Sequence, residues 1–202
     1  MTIVDIEVSG FQGAMIGMRL PYNSKNDSMI EDGQYKLGKS DLELLCRLVK
    51  EGQPNRKVLR MIHVQLLVTA PRYWWIEADT YKVGTVTNSE STMHTLLKRG
   101  CFQLDDFEHD ENNSLDDTIQ KLNFLHGFYD ESSPDEKKKW WREIIQLLPQ
   151  SYLQTRVWDL NYETLINIYK YRKNHKLPEW RMFCSYIREV LPYMDDILGA
   201  LE

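Results

Sequence analysis

The run Val58–Ala70, VLRMIHVQLLVTA, narrows the fold of this chain more than any other segment. It is rich in β-branched and aliphatic residues and ends before Pro71, which reads as a buried strand; for its first half a helical reading stays open. A second strand is expected at the start, in TIVDIEVSG, where Ile3, Asp5 and Glu7 alternate with Val4, Ile6 and Val8. The segment GFQGAMIGMRLPYNS runs into a polar turn at Pro21–Ser28. Helix signals follow. KSDLELLCRLVKEG places Ser40 as N-cap, Asp41 and Glu43 in the first turn and Gly52 as the stop. In SLDDTIQKLNFLHGFY a capping box from Ser114 to Asp117 precedes Ile119, Leu122, Leu125 and Phe128 near one face. SSPDEKKKWWREIIQLLP has Ser133 as cap, Pro134 at the first helical position and Pro149 beyond the end. NYETLINIYKYRKNHK gives a further helix, and WRMFCSYIREVLPYMDDILGALE another, interrupted or ended near Pro192. Strands early and helices late predict an α+β fold in one domain spanning residues 1–202.

The bulk numbers bound the function classes. With 202 residues, 42% hydrophobic and 27% charged, the chain can bury a core unaided. A net charge of -5 argues against wholesale nucleic-acid binding but leaves room for a local cationic pocket. Cys46, Cys101 and Cys184 are scattered and odd in number, which suits thiols in a reducing, cytoplasmic setting. No segment is long and apolar enough to cross a bilayer, and MTIVDIEVSG lacks the basic and apolar regions of a leader.

Short catalytic motifs do not occur: there is no Gly-x-Ser-x-Gly elbow, P-loop, dinucleotide fingerprint or Cys-x-x-Cys. The histidines fall in no metal-ligand spacing, so no metal is expected. The acidic run Asp105–Asp117, with His109 inside it, lacks the calcium-loop pattern and reads as a solvated loop leading to Ser114. The pairs Trp74–Trp75 and Trp140–Trp141 could stack on a planar ligand, although core packing is the commoner use of such rings.

Helical spacing in NYETLINIYKYR puts Asn161, Leu165, Ile168 and Arg172 on one stripe. A stripe polar at both ends has two readings. Asn161 and Arg172 either present amide and guanidinium groups to a polar ligand, or cap the helix and snorkel to solvent. Spacing alone favours the second.

At this helix the sequence resembles the flavin-dependent thymidylate synthases, whose late helix carries a pattern like N-x-R-S-L-x-N-F-x-x-L-R after a Leu-Pro. Here Leu148–Pro149 precedes Asn161, Leu165, Asn167 and Arg172 in step. The family also has a strand ending in Ala-Pro, followed by a signature like R-H-R-x-x-S-x-N-E-x-S-x-R-Y. Ala70–Pro71 holds the first place, and TYKVGTVTNSESTMH falls where the signature stands. Thr80, Tyr81 and Lys82 lie at R-H-R and Thr85 at the first Ser. After one inserted residue, Asn88, Ser91, Met93 and His94 lie opposite Asn, Ser, Arg and Tyr. Ser24 in LPYNS matches an early phosphate-contacting Ser. The likeness covers residues 58–94 and 147–181. It implies an antiparallel sheet with several packed helices, and FAD held between subunits of a homotetramer. It also implies hydride supply by NADPH and methylation of dUMP with methylenetetrahydrofolate. By the same resemblance, Asn161, Asn167, Lys82, Thr85 and Ser24 serve the cofactor, and Arg172, Asn88, Ser91 and His94 the nucleotide.

The departures from the pattern bear on function. Two arginines of the triplet are missing, Met93 stands for an Arg that holds phosphate, and Glu163 stands for an Arg that faces flavin. An arginine expected near Ile145 is replaced at best by Arg142, one turn earlier. Each lost charge-assisted contact costs about 1.5–3 kcal/mol. Three readings follow. The first is a divergent relative that keeps the fold and a nucleotide pocket, with the methylation altered or lost. The second is an active enzyme converting dUMP to dTMP, and the third is a non-catalytic interaction module using the tryptophan pairs.

Overall fold

The computed structural model describes residues 1–109 and 114–202. Strand β1 (Thr2–Ser9) leads into α1 (Phe11–Arg19), and a hairpin of β2 (Met29–Glu31) and β3 (Gln34–Lys36) precedes α2 (Lys39–Glu51). A 3-10 stretch, Asn55–Met61, occupies the first half of the aliphatic run, and β4 (His63–Pro71) its second half. Then come α3 (Arg72–Ala78), β5 (Val86–Ser89), the short α4 (Thr92–Thr95), α5 (Asp116–Glu131) and α6 (Pro134–Leu147). Strand β6 (Leu153–Asn161) passes directly into α7 (Tyr162–Arg172), followed by α8 (Pro178–Val190) and α9 (Met194–Gly199). The fold is α+β, with an antiparallel four-stranded sheet in the order β1-β4-β6-β5. Gln65 pairs with Asp159 and Thr69 with Thr155 through their side chains, so the pairing advances along β4 as it retreats along β6.

Strand β4 shows why the aliphatic run is diagnostic. Val64, Leu66, Val68 and Ala70 are fully buried, while His63, Gln65, Leu67 and Thr69 alternate with them on the less covered face. Strands β5 and β6 carry no strand signal in the sequence, because β5 is the exposed and largely polar VTNS and Gln154, Arg156 and Asp159 interrupt any apolar alternation in β6. Their extended state comes from pairing with neighbours distant in sequence.

The chain forms two compact units, each built from discontinuous segments. The first comprises Met1–Thr2, Val68–Thr80 and Asn88–Arg156. Its core packs Leu96, Phe102, Phe107, Leu122, Ile144 and Tyr152 around the α5–α6 pair. Trp74 and Trp75 are fully buried and meet edge to face, and the Trp75 indole N–H donates to the Gln154 carbonyl. That pair is therefore core rather than a stacking platform. Ser133 caps α6 as expected, in a capping box with Glu136. The box expected at Ser114 does not form. Helix α5 starts at Asp116 after Leu115, and the Ser114 hydroxyl faces the Asp116 carboxylate instead. The centre of the acidic run, residues 110–113, lies outside the described residues.

The second unit comprises Ile3–Leu67, Tyr81–Thr87 and Val157–Glu202. It buries Leu45, Leu59, Tyr162, Trp180, Phe183 and Ile197. Here Ser40 is not the N-cap of α2. The helix begins two residues earlier, after Gly38, and the Asp27 carboxylate accepts the amides of Ser40 and Asp41 from outside the helix. Those backbone bonds hold the Asp27 carboxyl below its ordinary range despite the opposing effect of desolvation. A Cβ at Gly38 would lie 2.2 Å from the Asp27 carboxyl carbon, so this remote cap requires glycine there. No helix of the described residues is long and apolar enough to cross a membrane, and no metal-holding group of His, Cys, Asp or Glu occurs among them.

Candidate functional site

The site expected from sequence centres on α7, and the helix is well specified locally. Asn161 ends β6 in an extended conformation, and its side-chain oxygen accepts the Thr164 amide at 2.9 Å. Lys170 and Arg172 sit in the last turn, where positive charge favours the helix dipole. Tyr162–Ile166 and Ile168 are buried, so the N-terminal half is core on nearly every side.

Asn161 and Thr164 also hold the loop that precedes β5. The Asn161 amide nitrogen donates to the Gly84 carbonyl at 3.5 Å, and the Thr164 hydroxyl donates to the Val83 carbonyl at 3.0 Å. Gly84 has φ +68°, and a Cβ there would lie 2.2 Å from the Asn161 amide nitrogen. Only glycine permits this approach without displacing Asn161. In the same loop the Thr85 hydroxyl donates to the Tyr81 carbonyl, and Lys82 is exposed.

Glu163, in the first turn of the helix, is 6% exposed. Its carboxylate accepts from the Gln53 amide at 2.9 Å, from Arg56 Nε at 3.2 Å and from Arg60 Nε. Burial alone would raise its carboxyl; the hydrogen bonds from Arg60 and Gln53, with the charge of Arg60, outweigh that and leave it below the ordinary range. Sequence alignment put a carboxylate at a flavin-facing position. The structure turns it toward two arginines of the chain's own 3-10 segment.

The other end of α7 is built differently. Arg172 Nε donates to the Tyr81 hydroxyl at 3.0 Å, and an Arg172 Nη lies 2.9 Å from His175 Nε2. The guanidinium stands 4.8 Å from the Trp180 ring and 5.7 Å from the Tyr81 ring. Arg172 is thus oriented by aromatic side chains rather than snorkelling freely. Tyr81, His175 and Trp180 were not among the expected site residues. Tyr81 stands beside Lys82 in the signature-like loop, which was a usable signal; Trp180, on α8, offered none.

The remaining expected residues are dispersed. Asn167 is half-buried on α7 and lines a cavity of about 280 Å³ with Arg56, Tyr169, Lys170, Lys173 and Glu202. Ser24 is exposed after the turn that follows α1, and its amide donates to the Arg19 carbonyl. Asn88, Ser91 and His94 belong to the first unit. Asn88 is exposed on β5, and Ser91 precedes α4 with its carbonyl accepting from the His94 and Thr95 amides. His94 is exposed in α4. The structure therefore brings Tyr81–Thr85 together with Asn161, Thr164 and Arg172 in one unit.

No protein-family model matches the chain, and no curated protein matches it by sequence. Among solved structures it is similar to a crystal structure of the flavin-dependent thymidylate synthase ThyX from Helicobacter pylori complexed with FAD and dUMP. That likeness has a TM-score of 0.76 at 17% identity over 100% of both chains. A second structure of ThyX from the same organism with FAD and dUMP gives a TM-score of 0.75 at 16% identity, again over 100% of both chains. The chain shares their fold.

Proposed function

We propose that this chain is a nucleotide-binding protein on the flavin-dependent thymidylate synthase fold, with dUMP methylation altered or lost. Its whole-chain likeness to ThyX structures holding FAD and dUMP supports the nucleotide half of that reading. Arg172 supplies a planar cation, suited to bidentate phosphate or carbonyl contact, pre-oriented by Tyr81 and Trp180. In this reading Asn88, Ser91 and His94 also serve the nucleotide, and the chain assembles as a homotetramer. The three scattered cysteines suit a cytoplasmic protein.

The observation that carries the altered chemistry is Glu163. Where the resemblance calls for a flavin-facing arginine, this chain has a buried carboxylate held by Arg56, Arg60 and Gln53. Asn161, a second flavin position, is engaged by the Thr164 amide and the Gly84 carbonyl. The third such position, Asn167, lines a cavity of about 280 Å³ together with Arg56, Lys170 and Lys173. These residues do not fit FAD in the manner of the family, and no reaction step is routed through it.

Three measurements test the proposal on the purified protein. Calorimetric titration with dUMP is expected to show binding. The visible spectrum is expected to lack bound flavin, and dUMP supplied with FAD, NADPH and methylenetetrahydrofolate should yield no dTMP. A yellow protein that releases FAD on denaturation and forms dTMP would overturn the altered-chemistry reading; failure to bind any pyrimidine nucleotide would overturn the nucleotide reading.

A further inference from the structure

The cavity beside Asn167 has a chemistry of its own. It lies on a different stripe of α7 from Arg172: Ile166, Asn167, Lys170 and Lys173 recur at helical spacing on one side, whereas Asn161, Leu165, Ile168 and Arg172 form the other. Three cations, Arg56, Lys170 and Lys173, line about 280 Å³ of space on a chain whose net charge is -5. The facing carboxylate is Glu202, whose Oε1 lies 3.1 Å from Lys173 Nζ and 3.3 Å from an Arg188 Nη. Arg188 is itself anchored by Asp195 at 2.6 Å and by the Tyr169 hydroxyl at 3.0 Å. Apolar surface comes from Ile166, Leu198 and Leu201.

We propose that this cavity is a binding site for a small phosphate monoester, with the Glu202 carboxylate as a built-in competitor for the same cations. The phosphate would displace Glu202 from Lys173 and engage Lys170 and Arg56, while the organic part rests on Ile166 and Leu198. Arg56 already donates to Glu163, so the carboxylate behind it fixes the direction in which its guanidinium faces. The hydrogen bond from Lys173 and the charges of Arg188 and Lys173 hold the Glu202 carboxyl below its ordinary range, so it is ionised at neutral pH and competes there as an anion. The cavity is small, near the lower bound for organic ligands, which selects a single ring with one phosphate over a dinucleotide. This inference is independent of the Arg172 site.

Phenyl phosphate titrated into the full chain by isothermal calorimetry tests it. Binding is expected in the wild type, with affinity rising about three- to tenfold in Glu202→Gln through loss of the competitor. It should fall at least tenfold in Lys170→Gln/Lys173→Gln, whose fold is checked by its unchanged far-UV circular dichroism. Inorganic phosphate is expected to bind more weakly than phenyl phosphate. Absence of binding in both wild type and Glu202→Gln, or wild-type affinity in the double lysine variant, would overturn the site. Equal affinity for inorganic phosphate would overturn the monoester assignment. Loss of phenyl phosphate binding in Arg172→Ala would assign the ligand to the other stripe and overturn the proposal as well.

Discussion

The two ends of α7 come from one sequence pattern and have opposite characters. At the N-terminal end Asn161, Glu163 and Thr164 are buried, and each makes hydrogen bonds that hold this unit together: a helix cap, a carboxylate shared by two arginines, and a clamp on Val83–Gly84. At the C-terminal end Arg172 is partly exposed and oriented by Tyr81 and Trp180. Residues matched to one family pattern can thus serve architecture at one turn and, two turns later, stand partly exposed where we propose a ligand binds. Burial and hydrogen-bond partners separate the two cases, and spacing does not.

The largest test of this contrast is Glu163→Ala. It leaves Gln53, Arg56 and Arg60 facing a buried gap and should destabilise the protein by about 2–3 kcal/mol. Chemical denaturation followed by tryptophan fluorescence measures it. If dUMP affinity falls as well while the fold holds, the N-terminal end is not purely architectural. Arg172→Ala should do the reverse, weakening dUMP binding at least tenfold, about 1.4 kcal/mol, with a smaller loss of stability. Arg172→Lys should not restore affinity, because an ammonium cannot reproduce the planar fork stacked on Trp180. Unchanged nucleotide affinity in Arg172→Ala would remove the functional half of the comparison.

Asn161→Ala is expected to cost about 1 kcal/mol through the lost cap, and Asn161→Asp substantially less, since a carboxylate still accepts the Thr164 amide. Thermal melts of the two variants give the ordering. The smallest effect is in pH dependence. Glu163 has its carboxyl depressed in the folded state, so its contribution is present at neutral pH and lost as pH falls through and below the ordinary glutamate range. Glu163→Gln should flatten the acid side of the stability profile relative to wild type, and an unchanged acid limb would mean that this carboxylate is not what the arginines stabilise.

Local patterns were legible where the physics is local. The helix at Pro134–Leu147 announces itself through Ser133, Pro134 and Glu136, because a capping box is satisfied within a few residues. The cap of α2 was misplaced at Ser40 because the group that satisfies its first turn, Asp27, arrives from outside the helix. Strands β5 and β6 were missed for a related reason, since their extended state depends on partners distant in sequence. In the candidate site, spacing put Asn161 and Arg172 on one stripe, and only the family resemblance assigned them to a ligand. Of the two rings that orient Arg172, Tyr81 stands in the signature-like loop, whereas Trp180 gives no sign of itself, because a cation–aromatic contact leaves no periodic trace in sequence.

By itself the sequence determined the α+β class, the buried strand β4, the signals that start and stop the later helices, and the resemblance that led to α7. Tertiary structure decided what each α7 side chain does. Glu163 faces inward because Arg56 and Arg60 stand where its carboxylate can be desolvated and still satisfied, and Asn161 is committed because Gly84 brings a carbonyl within reach. Both outcomes depend on contacts between residues some eighty to one hundred positions apart, which a local pattern cannot encode.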